Sequence, residues 1–477
     1  MLLHIARAFT LKKGNNMEEN EKIIQTDTGS TDGQNKCPKC GSTDISLNVN
    51  TGMLRCNFCR HQFEPEKIVG METDISNLTG EIIGSGTQNI QADAEDIVTL
   101  KCTSCGAEVV IDTSESTQAR CHWCRNTLSL NQQMPNGSVP DVVLPFNLTK
   151  AEAKQIIENF VGKRKFFAHP KFKQEFTTDN ILGVYFPYMV VDANVHATLT
   201  GQGEHQIRSY TRGEGNNRRT YYDADLYDVE RDFDLTIEGL TVESNSDRLN
   251  KTDSSKTNNV INAIMPFDIE NSVKYNSNYL KGYTSERRDT NIDDLRNLVD
   301  VQSKDIVRFA ANETIKNYDR GVCWSDEYVD VKGKQWKSAY LPVWLYSYQQ
   351  VKGNNKVLHY VAVNARTKEA MGSVPIHIPK LLGISALVEL LSFLLMLFVD
   401  FEHEQILLLS GIIYFIINYM RYRNPAARHH HEKETKTQMT NLTKKDNLIK
   451  RLTGLSNPTM KGANNKRVNG SNSFFNL

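Results

Sequence analysis

Apolar and polar positions alternate in different rhythms along this chain, and the changes of rhythm mark its parts. Residues 1 to 36 open on a brief apolar run, Met1-Leu-Leu-His-Ile-Ala6, followed by a stretch rich in Asn, Glu, Gln, Thr, Ser and Gly. That composition offers too few apolar groups to offset the ordering entropy of a fold, so the segment is expected to be disordered. The apolar run is too brief for a secretory signal, and Met17 is an alternative start. Two short cysteine-bearing blocks follow, at 37–65 and 99–132. The acidic, polar stretch 66–98 between them, with Gly80, Gly84 and Gly86, reads as a linker.

From 141 the pattern lengthens. Ala153, Ile156, Ile157, Phe160 and Val161 recur at helical spacing behind Thr149, a suitable N-cap. Residues 181–200 are rich in β-branched and aromatic side chains and predict one or two strands interrupted at Pro187, with further strands over 219–242. Alternation over 340–349 and 356–364, joined by Lys352-Gly-Asn-Asn355, predicts a β-hairpin. A weak internal repeat matches Leu144-Pro-Phe-Asn147 to Met265-Pro-Phe-Asp268, and Gly183-Val-Tyr-Phe-Pro187 to Ser338-Ala-Tyr-Leu-Pro342. Two related α+β units are therefore expected, 141–242 and 260–378, the second enlarged by a helical insert near 293–318, with 243–259 as a linker.

Beyond 380 the chain turns apolar. Fifteen of the nineteen residues 381–399 are apolar, and as a helix they span about 28 Å, the thickness of a bilayer core. Glu389 within this run costs roughly 3 kcal/mol on insertion scales, against about −6 kcal/mol from its Leu, Ile, Val and Phe residues. Residues 406–420 form a second run, short for a span unless it extends through Tyr422 or the bilayer thins. The prediction is a transmembrane hairpin over 381–422, the alternative being a helical pair buried in a soluble core. Glu389 is then a protonated or hairpin-paired carboxyl, or else part of a proton path or a contact with a partner helix. Acidic residues fill the connector 400–405, whereas Lys380, Arg421, Arg423 and Arg428 flank the runs, a distribution that puts the N-terminal domains and the tail in the cytoplasm. The tail, 423–477, is basic, predicted to be unstructured and drawn to anionic lipid or nucleic acid.

Overall charge narrows little, because Lys plus Arg and Asp plus Glu both total 56. The cysteines narrow much more. Eight of nine fall into four C-x-x-C pairs: Cys37/Cys40 and Cys56/Cys59, then Cys102/Cys105 and Cys121/Cys124, with fifteen residues inside each block. Glycine follows the second cysteine of each block (Gly41, Gly106), an aromatic precedes the fourth (Phe58, Trp123), and arginine follows it (Arg60, Arg125), so the block is duplicated. Each C-x-x-C makes a tight knuckle, and two knuckles supply the four thiolates of a tetrahedral zinc. Four thiolates leave no open position, so two structural zinc ions are expected, with a redox dithiol or an iron–sulfur cluster as the alternative. His122, between two ligands, is read as a surface residue, and the run Arg428-His-His-His431 as a solvated stretch beside the membrane.

Lys39, Arg55, Arg60, Arg120 and Arg125 with Phe58 and Trp123 could serve phosphates and bases, although Glu64, Glu66, Glu108 and Asp112 dilute that face. Catalysis has no visible signature: H-E-x-x-H, G-x-x-x-x-G-K-[ST], G-x-S-x-G and G-x-G-x-x-G are all absent from the sequence. Cys323 reads as a core thiol. Asp223 and Asp225 with Arg218 and Arg219 read as an acid or phosphate site, or simply as a polar strand face.

The cysteine blocks resemble transcription factor IIB-type and RNA-polymerase-subunit-type zinc ribbons. The region carrying Leu144-Pro-Phe, Gly183-Val-Tyr-Phe-Pro-Tyr, Tyr279-Leu-Lys-Gly-Tyr283, Leu341-Pro-Val-Trp-Leu-Tyr346 and Tyr360-Val-Ala-Val-Asn-Ala-Arg-Thr367 resembles bacterial zinc-ribbon membrane proteins. Many of those carry valine-asparagine-glycine-glutamine-threonine-glycine where this chain has Val363-Asn-Ala-Arg-Thr-Lys368, so the turn implied there must form without glycine. A primosomal-helicase label attached to some of them finds no nucleotide-binding loop here. The resemblance implies a membrane adaptor for cytoplasmic partners of envelope-stress or flotillin-like kind. The fold class expected is multidomain: two small β zinc ribbons, a duplicated α+β cytoplasmic region and a C-terminal transmembrane helical hairpin. The function expected is non-enzymatic docking of a protein partner at the cell membrane, with a membrane-tethered nucleic-acid binder as the alternative.

Overall fold

Two strands of 31 residues, Leu182–Arg212 and Val322–Lys352, lie antiparallel at the centre of a 14-stranded sheet. The computed structural model describes residues 21–24, 26, 36–71, 74–87, 97–102, 104–105, 107–112, 120–128, 133–134, 140–213, 218–245, 260–352, 355–396, 409–423 and 431–455. In chain order the main elements are β1 (Gly80–Gly84), β2 (Val142–Val143), α1 (Lys150–Gly162), α2 (Pro170–Glu175), β3 (Leu182–Arg212), β4 (Arg219–Glu243), β5 (Thr284–Glu286), α3 (Ile292–Glu313), β6 (Val322–Lys352), β7 (Asn355–Asn364), α4 (Ile378–Met396), α5 (Ser410–Arg423) and β8 (Lys436–Leu455). β3 pairs with β6 on one side and β4 on the other, β7 pairs with β6, and β8 closes the far side against β4.

Pro187, expected to interrupt its strand, does not, and Pro342 also lies inside one. Pro187 lies within β3 where the neighbour on one edge changes, from Ser285 beside Tyr185 to Glu243 beside Tyr188. Pro342 lies within β6 at a matching change, from Val143 beside Tyr340 to Asn364 beside Val343. A residue without an N–H is tolerated where the ladder has a gap. At both sites the proline carbonyl still accepts a bond from the residue just past the neighbouring strand, Ser244 N at 3.3 Å and Ala365 N at 3.1 Å.

The two repeat-bearing stretches therefore do not form separate sheets divided by a linker. They face each other, Tyr185 opposite Pro342 and Pro187 opposite Tyr340. Each also borrows a short parallel strand from the other's region: β2 lies along β6, and β5 along β3. β2 begins eight residues before α1, at 142 and 150, and β5 begins eight before α3, at 284 and 292. α1 opens on a capping box, Thr149 with Glu152, and at the start of α3 Asn291 N donates to Asp294 Oδ2 at 3.0 Å. The counterpart of Leu144 is thus Glu286; the match of 144–147 to 265–268 does not correspond in space.

Among the described residues the second cysteine block has a small apolar core of its own, around Leu100, Val109 and Leu128, and three larger ones line the sheet. α3 lays Leu295, Val299 and Ile306 against Val191, Val195 and Leu235 on one sheet face. α1 and α2 bury Ile157, Val161 and Phe172 with Phe146, Tyr185 and Trp344 on another. The third lies around Phe186, Leu341 and Ile264.

Other expectations change as well. Within the stretch read as a linker, β1 buries Ile82 and Ile83 and runs parallel to β6, because the sheet edge supplies partners that a local reading cannot see. Glu21–Ile24, in the segment read as disordered, pairs with β1. Of the tail read as unstructured, 436–455 is strand β8, and its cations meet the acids of β4: Lys445 with Glu230 at 2.6 Å and Arg451 with Asp225 at 3.0 Å. Residues 1–20, 25 and 27–35 of the segment read as disordered, the connector 400–405, most of the linker 243–259 and the tail from 456 onward lie outside the described residues.

Candidate metal centres and the apolar helices

The first cysteine block folds as a three-stranded sheet, Ile45–Leu47, Leu54–Cys56 and Gln62–Phe63. Gly52, at φ 69°, allows the turn that joins the first two strands. The knuckles close on backbone bonds, Gly41 N to Cys37 O and Arg60 N to Cys56 O, both 2.9 Å. The second block repeats the plan: Arg125 N donates to Cys121 O at 2.8 Å, and Arg60 and Arg125 share the left-handed φ of 61° and 62°.

Each set of four sulfurs lies within 4.8 Å of one another. Cys37 Sγ is 3.6 Å from Cys59 Sγ and Cys40 Sγ 3.6 Å from Cys56 Sγ; in the second block Cys102–Cys124 is 3.4 Å and Cys105–Cys121 3.5 Å. A disulfide requires about 2.05 Å. A tetrahedron of thiolates at ~2.3 Å from zinc has an edge of roughly 3.8 Å, which these separations approach. The Cys59 backbone N–H, chiefly, holds the Cys56 thiol down to about 6, and the Cys121 thiol holds Cys105 down to about 5. The thiols beside them, Cys40 in the first cage and Cys121 and Cys124 in the second, are pushed up, so the bare cages share charge unevenly and a cation would bind by displacing thiol protons. All eight sequence-predicted ligands, Cys37, Cys40, Cys56, Cys59, Cys102, Cys105, Cys121 and Cys124, fall in these two groups, and zinc fits both.

The surroundings of the two cages differ sharply. In the second, His122 is buried, not on the surface, with Nε2 3.5 Å from Glu286 Oε1, and its carbonyl accepts from Ser347 Oγ at 2.8 Å. Trp123 Nε1 donates to Glu286 Oε1 at 2.6 Å, and its ring meets Phe186 and Tyr360 at 5.9 and 5.1 Å. Arg125 stacks its guanidinium 4.6 Å from the Tyr346 ring centre. Trp123 and Arg125, read as candidate base and phosphate contacts, thus turn into the central sheet. In the first cage the equivalent Phe58 is 80% exposed, and Lys39, Arg55 and Arg60 are exposed around it. That ribbon is seated by its other face, where Ile45 and Leu54 join the core and Asp44 meets Lys281 at 3.2 Å.

Comparison with protein-family models, curated proteins and solved structures yields no match. The two four-cysteine clusters, compatible with zinc ribbons, are what the structure shares with the resemblance drawn from sequence.

α4 is long and apolar enough to cross a membrane, and only 11% of the window Ile378–Leu395 is buried. A core helix of a soluble protein would hide most of its apolar surface. α5 packs along α4 but is shorter, at 14 residues. Leu382, Leu387, Leu391, Ile412 and Ile416 of the pair are exposed. Glu389 sits between the two helices: Gly411 N donates to its Oε2 at 2.6 Å and Ser410 Oγ at 3.3 Å, so a carboxylate caps the amino end of α5. Gly411 permits this approach, since a Cβ there would lie 2.5 Å from Ser385 O.

The remaining candidates resolve simply. Cys323 is exposed on β6, opposite in direction to the buried Val322 and Trp324, and is not a core thiol. Asp223 and Asp225 are taken by Arg208 and Arg451 across neighbouring strands. Lys368 adopts φ 69° and closes the glycine-free turn, while Asn364 Oδ1 accepts from Arg366 N and Thr367 N at 2.9 and 3.1 Å.

Proposed function

We propose that the chain is a membrane-anchored zinc-ribbon adaptor. α4 and α5 fix it in the cell membrane, the second ribbon is a structural part of the body, and the first ribbon docks a cytoplasmic partner protein. The observation that carries this reading is the contrast between the two knuckles: one sequence pattern covers Trp123 and leaves Phe58 bare. An exposed aromatic on a ribbon that also exposes Arg55 and Arg60 has the composition of a binding hot spot. The exposed leucines and isoleucines of α4 and α5, costly in water at about 25 cal/mol per Å², support the anchor. Arg421 and Lys380 beside the helix ends support a cytoplasmic body.

Lys39, Arg55 and Arg60 around Phe58 also favour a second reading, in which this face takes a nucleic acid. Affinity capture of the full-length membrane-extracted protein, with and without Phe58→Asp, separates the outcomes. The adaptor reading expects specific proteins retained at high salt by the native chain and lost by the variant while zinc content is unchanged. Identical protein capture by both chains contradicts it, and a salt-sensitive gel shift abolished by the substitution moves the assignment to nucleic acid.

A further inference from the structure

We infer that the loop between α1 and α2, together with the bases of α4 and α5, forms a binding surface for anionic lipid headgroups; this rests on the membrane reading above. The loop is far from both helices in sequence but wraps their ends. Phe167 N donates to the Tyr422 hydroxyl at 2.8 Å, Arg164 Nε to the Arg421 carbonyl at 3.2 Å, and His377 N to the Phe167 carbonyl at 2.8 Å. The Phe166 carbonyl accepts from two ammonium groups, Lys380 Nζ at 2.9 Å and Lys173 Nζ at 3.4 Å.

These contacts gather Arg164, Lys165, Lys173, Lys380 and Arg421 into one patch, and none of the five has a carboxylate partner among the described residues. Other ion pairs in the fold show that acids are available elsewhere, as at Arg366–Asp268 and Arg308–Glu327. The crowding has an electrostatic cost. Burial and then the charges of Lys380 and Lys165 make the Lys173 ammonium easier to deprotonate, and burial followed by Arg421 does the same to Arg164. Cations assembled at such cost without a protein counter-charge are complementary to an anion from outside.

The position identifies which anion. Phe166 stands 57% exposed beside the patch, with Lys380 Nζ 3.9 Å from its ring centre, at the level where the exposed apolar surface of α4 begins. Aromatic rings flanked by lysine and arginine at the ends of apolar helices suit the headgroup layer, and a polybasic patch there favours phosphatidylglycerol or phosphatidylserine over zwitterionic lipid. The surface would hold the sheet body against the bilayer in one orientation and so set where the first ribbon points.

The test reconstitutes the full chain into nanodiscs of phosphatidylcholine alone and of phosphatidylcholine doped with phosphatidylglycerol, and follows amide hydrogen exchange over residues 163–173. The inference expects exchange there to slow several-fold when phosphatidylglycerol is present, and the difference to vanish in Lys165→Gln/Lys173→Gln. Lys165→Glu alone, at an exposed side chain that makes no bond, gives the same result if the double variant folds poorly. A chain that inserts in both nanodiscs with equal exchange overturns this inference. A chain that inserts in neither overturns the membrane reading instead.

Discussion

At the scale of single residues, each cage depends on a left-handed backbone position that glycine would fill without strain and that arginine fills here, at Arg60 and Arg125. The left-handed φ lets the Arg60 and Arg125 amides bond back to Cys56 O and Cys121 O, closing the knuckle that brings the fourth cysteine beside the other three. The same two blocks make opposite predictions for their aromatics. Trp123→Ala removes a ring packed on Phe186 and Tyr360 and a bond to Glu286, so it should destabilise by about 3 kcal/mol. Phe58→Ala removes a ring in solvent and should leave stability within about 0.5 kcal/mol. Denaturant titration of the full chain in detergent checks both. The gathering of the eight cysteines into two groups of four was legible in sequence because their spacing is local. Which knuckle would be covered was not, because the cover comes from Glu286, Phe186, Tyr360 and Ser347, residues that no spacing near position 122 reveals.

At the scale of elements, β8 shows why the tail was misjudged. Its alternation is polar on polar, with Lys444, Lys445, Lys450 and Arg451, and such a strand has no core to announce it. It is held instead by ions and ladder bonds along β4. Asp234 lies below the ordinary carboxylate range because Asn441 donates to it and Lys332 faces it. Arg208 and then Thr453 lower Asp223. Burial raises Asp446, but Arg231 outweighs it, so that group is lowered too. For acids depressed in the folded state, the stabilisation is fully present above their unfolded value near ~3.9 and drains away as pH falls through it toward the folded values. Amides of 436–455 should therefore lose hydrogen-exchange protection below about pH 4 before those of β3 and β6 do. Simultaneous loss in all three strands would show that β8 is bound by something other than these pairs.

At the scale of the whole molecule, the long strands account for what pattern reading caught and what it missed. β-branched and aromatic enrichment in 181–200, the strands expected over 219–242, and alternation in 340–349 and 356–364 fall on strands, because those side chains fill the buried faces of the sheet. The merging of both stretches into one sheet was invisible, since Pro187, which reads as a break, occupies a change of strand partner, as Pro342 does on the facing strand. The apolar run of α4 was legible by composition alone. The resulting arrangement sets an exposed cysteine knuckle on a sheet body that also carries a pair of apolar helices. As proposed, the chain carries two closed thiolate cages and is held at a membrane. The most direct measurement is zinc per chain in protein extracted from the washed membrane fraction, by elemental analysis against amino-acid quantitation. The account predicts two zinc ions per chain, falling by one in either Cys37→Ser or Cys102→Ser; a chain recovered without stoichiometric zinc, or absent from the membrane fraction, contradicts it.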